Sequence, residues 1–101
     1  MRIIVFFDLP MLTLKDLKAY RYFRKGLIKN GFIMLQQSVY AKLVLNNTIG
    51  NRVKNEIHRL LPAQGLVQML TITEKQFSNI DFLLGEGQTE VIDNDNRIIR
   101  L

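Results

Sequence analysis

The order of segments along this chain predicts an α+β sandwich, with an antiparallel sheet on one side and two helices packed on the other. Three observations carry that expectation. The chain opens on an apolar run, Ile3-Ile4-Val5-Phe6-Phe7, with no polar alternation, which fits a strand buried on both faces in the middle of a sheet. Two later stretches switch to helical periodicity, each bounded by its own start and stop residues. Extended apolar segments separated by Gly, Asn and Ser lie between and after them, so the order reads βαββαβ with a short extension.

The first strand runs into Asp8 and then Pro10. Strand ends that open onto loops are where such folds place their chemistry, and a charge there is solvated, paired or bound to a metal. Asp8 is therefore the candidate acid and metal ligand. The plainer alternative is that it caps the strand before the turn at Pro10, and the residues alone leave both open.

The first helix starts at Thr13, where Asp16 three residues on resembles a capping box, and ends at Asn30-Gly31, a ready left-handed stop. Helical spacing puts Leu17, Tyr20, Phe23, Leu27 and Ile28 on one face and Lys15, Lys18, Arg21, Lys25 and Lys29 on the other. Arg24 falls on the apolar side, so its guanidinium has to reach a partner past the core edge: by snorkelling, by an internal pair, or by binding a phosphate or a carboxylate of a neighbouring subunit. Between Lys15 and Lys29 six basic residues stand against Asp16 alone, and this one segment carries the whole net excess of +5. A solvated face and a phosphate-binding stripe both answer to that pattern.

Phe32 to Leu45 is extended throughout but too long for one flat strand. It reads as a strand to about Leu35, a kink or bulge at Gln36-Gln37-Ser38, and a second extended piece through Leu45. Asn46-Asn47-Thr48 caps a second helix whose buried stripe is Ile49, Val53, Ile57 and Leu60, and which Pro62 stops. His58, the one histidine, lies opposite that stripe and reads as solvated. Leu66 to Thr73 is a further strand entered through Gly65, and Asp81 to Leu84 a short extended piece. Beyond the ferredoxin-like domain of residues 1–85, the segment 86–101 reads as two short strands around the polar turn Asp93-Asn94-Asp95-Asn96. Val91, Ile92, Ile98, Ile99 and Leu101 in it are candidate partner-binding residues, because pieces this short gain stability only by adding to an existing sheet edge.

Composition excludes several classes. With no cysteine there is neither a disulfide framework nor a thiolate metal site, and a reducing cytoplasm is the expected compartment. No run approaches the roughly 18 apolar residues of a membrane span, no signal segment is evident, and no Gly-rich phosphate loop occurs. In the ferredoxin-like arrangement both helices cover one sheet face, and a first strand apolar on both sides cannot leave its other face in water. A homodimer stacked on the open faces is the expected remedy. It would bring two Asp8 carboxylates together to share one Mg²⁺ across the two-fold axis, since that ion takes one or two protein oxygens and completes its shell with water and phosphate.

The opening strand ending in Asp8, the basic helix closing at Lys29-Asn30-Gly31, and Gln37-Ser38-Val39-Tyr40 together resemble the CRISPR-associated protein 2 family, the small partner of the CRISPR integrase. Leu70-Thr71-Ile72-Thr73-Glu74-Lys75-Gln76-Phe77 and Gly85-Glu86-Gly87 resemble its branch found with type II systems. The resemblance covers nearly the whole chain. It implies a homodimer whose last strands complete the partner's sheet, seated between dimers of the integrase, CRISPR-associated protein 1, and holding double-stranded DNA destined to become a spacer. It also implies a metal-dependent endonuclease acting on RNA, single-stranded RNA included, or on DNA, with Asp8 as the ligand. Arg21 matches an arginine implicated early in the helix, and Lys18 keeps the charge without the bidentate fork. Two positions depart from the family pattern: Ile33-Met34-Leu35 stand where many members place an arginine, and Ala41 replaces an acid. Both departures weigh against catalysis and leave the DNA-holding role untouched.

Three readings follow. The first is a CRISPR adaptation scaffold gripping the phosphate backbone with Lys15, Lys18, Arg21, Arg24, Lys25 and Lys42. The second is a free-standing, toxin-like Mg²⁺-dependent endoribonuclease built on paired Asp8 carboxylates. The third is a ferredoxin-like small-molecule sensor, for which nothing in the chain marks a pocket.

Overall fold

The computed structural model describes residues 1–85. Its elements are β1 (Arg2–Asp8), α1 (Leu14–Lys29), β2 (Ile33–Gln36), β3 (Val39–Leu43), α2 (Asn47–Leu60), β4 (Leu66–Ile72) and α3 (Glu74–Ser78). The strands form one sheet in the order β2-β3-β1-β4, and every neighbouring pair is antiparallel. With α1 and α2 on one face this is the α+β, ferredoxin-like arrangement that the segment order predicts.

β1 is central, hydrogen-bonded to β3 and β4, and Ile3, Ile4, Val5 and Phe7 are all buried. On the helical face Phe7 meets Phe23 edge-on at 5.1 Å between centroids and stacks on Tyr40 at 5.7 Å. Leu27, Val44, Val53 and Ile57 complete that core. Each such side chain contributes about 1.5–3 kcal/mol by leaving water.

The ends of α1 follow from local chemistry. Thr13 and Asp16 form the reciprocal capping box, with Thr13 Oγ1 accepting from Asp16 N at 3.0 Å and Asp16 Oδ2 accepting from Thr13 N at 3.2 Å. At the other end Phe32 N donates to Leu27 O and Gly31 N to Ile28 O, both at 3.0 Å. This Schellman closure requires the positive φ of Gly31, +91°. α2 begins at Asn46, whose Oδ1 accepts from Ile49 N at 2.9 Å, and ends ahead of Pro62.

Four expectations are corrected. The chain does not continue through the glutamines; it reverses there, with Gln37 and Ser38 forming the turn of a β2–β3 hairpin and a register shift between Met34 and Gln36. Ile28 is exposed, because helix pitch carries it past the face that meets the sheet. The second extended piece stops at Leu43 instead of Leu45. Asp81 to Leu84 is not a strand: beyond α3, which Thr73 and Gln76 cap reciprocally, the chain has no regular structure there, and Phe82, Leu83 and Leu84 are exposed.

The sheet face away from α1 and α2 is not wholly open. α3 crosses its Arg2 end, where the Arg2 guanidinium lies 4.3 Å from the Phe77 ring centroid and Nε donates to Glu74 at 2.9 Å. Elsewhere on that face Ile33, Leu43, Leu66 and Leu70 remain exposed.

Candidate nucleic-acid interface and acidic strand end

Pleat alternation decides where Asp8 stands. Phe7 points to the helices, so Phe6 and Asp8 belong to the opposite face, at the last register position of β1 facing Leu66 of β4. Around it Phe6, Ser38, Val39, Leu66 and Gln68 outline a shallow recess of about 190 Å³. The β2–β3 turn is tied to this end by Phe7 N donating to Ser38 O at 3.1 Å. Gly65 abuts it from the other side: its φ is +112°, and a Cβ there would lie 3.0 Å from the Asp8 carbonyl oxygen.

The Asp8 carboxylate is exposed and takes no hydrogen bond or ion pair from the described residues. Its oxygens are open to a hard cation or to water. No group of three or more His, Asp or Glu side chains gathers among the described residues, so one protomer offers a single carboxylate. That donor set fits Mg²⁺ only if waters, phosphate or a second Asp8 complete the shell. His58 is exposed on α2, in the helical layer and so across the sheet from the face that carries Asp8.

The basic residues lie in that helical layer too. Lys15, Lys18, Arg21, Arg24, Lys25 and Lys29 are all exposed along α1, and among the described residues no carboxylate pairs with any of them. Asp16, the acid within the segment, is spent on the cap, accepting from Leu12 N and Thr13 N. Lys42 reaches the carboxyl end of α1, where a Cβ on Gly31 would come within 2.6 Å of its Nζ. It extends the cationic surface past Lys29 and faces the negative end of the helix dipole. The structure thus brings Lys42 to the α1 stripe, but sets Asp8 on the other side of the sheet. Val91, Ile92, Ile98, Ile99 and Leu101 lie outside the described residues.

Arg24 finds its partner inside the protomer. Its Nε donates to the Tyr40 hydroxyl at 2.9 Å.

Residues 1–80 match the family described as CRISPR associated protein Cas2. The chain belongs to the Cas2 family. It is 48% identical over 101 residues to the CRISPR-associated endoribonuclease Cas2 of Treponema denticola, covering all of both chains. It is 44% identical to the protein of the same name from Streptococcus mutans, covering all of this chain and 93% of that one. Among solved structures it resembles the crystal structure of Streptococcus pyogenes Cas2 at pH 6.5, with a TM-score of 0.63 over 82% of this chain and 99% of that one. At 17% identity that likeness speaks to the fold alone.

In this Cas2-family chain the motif Gln37-Ser38-Val39-Tyr40 now has a physical account. Ser38 pins the end of β1 beside Asp8, Val39 pairs with Phe6, and Tyr40 enters the core and holds Arg24. Sequence reasoning did not single out Ser38, Gln68 or Tyr40 as neighbours of the candidate groups. The tyrosine was legible in part, since an aromatic with a polar tip inside a core strand needs a hydrogen-bond partner, and Arg24 was the unmatched donor.

Proposed function

We propose that this chain acts in CRISPR spacer acquisition as a homodimer that bridges integrase dimers and holds the phosphate backbone of double-stranded DNA. The observation that carries the reading is the exposed, acid-free stripe of Lys15, Lys18, Arg21 and Lys25, flanked by exposed Arg24 and continued by Lys42. Such a surface attracts phosphates irrespective of sequence, as a protein that accepts many different spacers needs. The apolar residues Val91, Ile92, Ile98, Ile99 and Leu101 supply the integrase contact in this reading.

A second reading has a specific observation behind it. The unpaired Asp8 carboxylate at the end of β1, beside Ser38 and Gln68, suits an endoribonuclease, the activity named for the relatives. Asp8 of each subunit would hold one Mg²⁺, which when bound neutralises phosphate charge and makes a coordinated water more acidic. The two Asp8 carboxylates would hold that ion at the end of β1, where Phe6, Val39 and Leu66 line the recess beside them. His58 stands in the helical layer, so a general base has to come from the substrate or from solvent.

Titration of labelled duplex DNA beside a nuclease assay on single-stranded RNA and duplex DNA, each with and without Mg²⁺, separates the two. Salt-sensitive duplex binding without cleavage supports the scaffold, and Mg²⁺-dependent RNA cleavage supports the second reading. Absence of both would overturn them together.

A further inference from the structure

Arg24, exposed on the flank of α1 beside the cationic stripe, is the one basic residue of that helix whose side chain is tied to the core. Tyr40, at the other end of that bond, has none of its surface exposed. Its ring is held between Val5 of β1 and Met34 of β2 by strand pairing and stacks on Phe7 at an interplanar angle of 25°. A phenol so confined cannot follow a moving side chain, so its oxygen is a fixed acceptor. The bond to it takes Arg24 Nε at 2.9 Å and leaves Nη1 and Nη2 without a partner among the described residues. Those two nitrogens form the end-on edge of the guanidinium, which matches two oxygens of one phosphate.

We infer that Tyr40 is a positioning residue for nucleic-acid binding: its buried hydroxyl holds Arg24 by Nε and presents the Nη1/Nη2 edge, pre-oriented, to a backbone phosphate. The inference rests on the proposal that the α1 stripe binds the phosphate backbone. Exposed Lys18, Arg21 and Lys25 have no such tether and act as mobile charges, whereas Arg24 binds with its side-chain entropy already spent. Lysine at this position would keep the charge but has no Nε–H to offer the phenol.

The test is an anisotropy titration of a labelled mixed-sequence DNA duplex against the full-length protein over a range of salt. Wild type, Tyr40→Phe, Arg24→Lys and the double variant are compared, with Tm recorded for each. Freeing one long side chain corresponds to about a two- to twelvefold loss of affinity. Tyr40→Phe and Arg24→Lys should each show that loss, and the double variant no further loss, because the phenol acts only through Nε. Arg24→Lys leaves the core intact and keeps the inference testable even if Tyr40→Phe folds poorly. Wild-type affinity in Tyr40→Phe or in Arg24→Lys, with the wild type still salt-sensitive, overturns the inference and leaves the backbone-binding reading standing. An equal loss on adding Tyr40→Phe to Arg24→Lys also overturns it, by showing a purely structural tyrosine. Wild-type protein that does not bind, or binds independently of salt, overturns the inference and the reading beneath it.

Discussion

Asp8 and Gly65 illustrate how much one residue decides at the end of β1. Nothing among the described residues satisfies the Asp8 carboxylate, so its substitution costs the fold little and any dimer-shared metal site a great deal. Asp8→Asn is expected to abolish metal-dependent cleavage while leaving the dimer as stable or more so, because two facing carboxylates repel when no ion lies between them. Nuclease assays beside chemical denaturation check this, and cleavage persisting in rigorously purified variant would move the chemistry elsewhere. Gly65 behaves oppositely. At φ +112° a side chain is strained, and its Cβ would press on the Asp8 carbonyl, a backbone atom that cannot turn aside. Gly65→Ala should lower stability by about 2–3 kcal/mol in urea unfolding. A loss under about 0.5 kcal/mol would show that the turn relaxes freely. The place of Asp8 at the open end of a buried strand was legible from one carboxylate closing an apolar run. The tightness of Gly65 against it was not, since only tertiary packing places that loop beside β1.

Among the elements, α1 was the most legible, because both of its ends are written in side chains that satisfy orphan backbone groups: Thr13 with Asp16, and Gly31. The hairpin between β2 and β3 was less so. Gln37 and Ser38 carry none of the Gly or Asn that two-residue turns favour, no non-glycine among the described residues has positive φ, and the register shift next to the turn takes up the geometry instead. α3 was missed although Thr73 and Gln76 spell a capping box, since the apolar Phe82-Leu83-Leu84 that follows looked like a strand. The cationic face of α1 gives the prediction at this scale. Changing Lys18, Arg21 and Lys25 together to Glu should abolish duplex binding, and wild-type affinity should fall steeply with salt, as release of condensed counterions demands. A flat salt dependence would mean that the stripe is only a solvated surface.

For the whole molecule the deciding feature is the sheet face that α1 and α2 leave alone. Leu66 is 56% exposed and Leu70 49%, with Ile33 and Leu43 on the same face and Phe82, Leu83 and Leu84 bare on the segment after α3. α3 covers only the Arg2 end of that face. Soluble monomers rarely leave contiguous apolar patches above a few hundred Å² in water, and the patches that persist mark interfaces. A second copy related by two-fold symmetry would cover this face with itself, and would turn the lone Asp8 into a pair without any new residue. Light scattering of dilute protein should therefore give about twice the 11.8 kDa chain mass. Leu70→Lys, which places a charge on the exposed part of β4 and removes nothing from the helical core, should shift the mass toward that of one chain while leaving the far-ultraviolet circular dichroism unchanged. The same substitution should suppress Mg²⁺-dependent cleavage if that cleavage needs two Asp8 carboxylates, yet spare the phosphate grip of each α1. A wild-type protein that is monomeric at low micromolar concentration would remove the shared metal site along with the dimer.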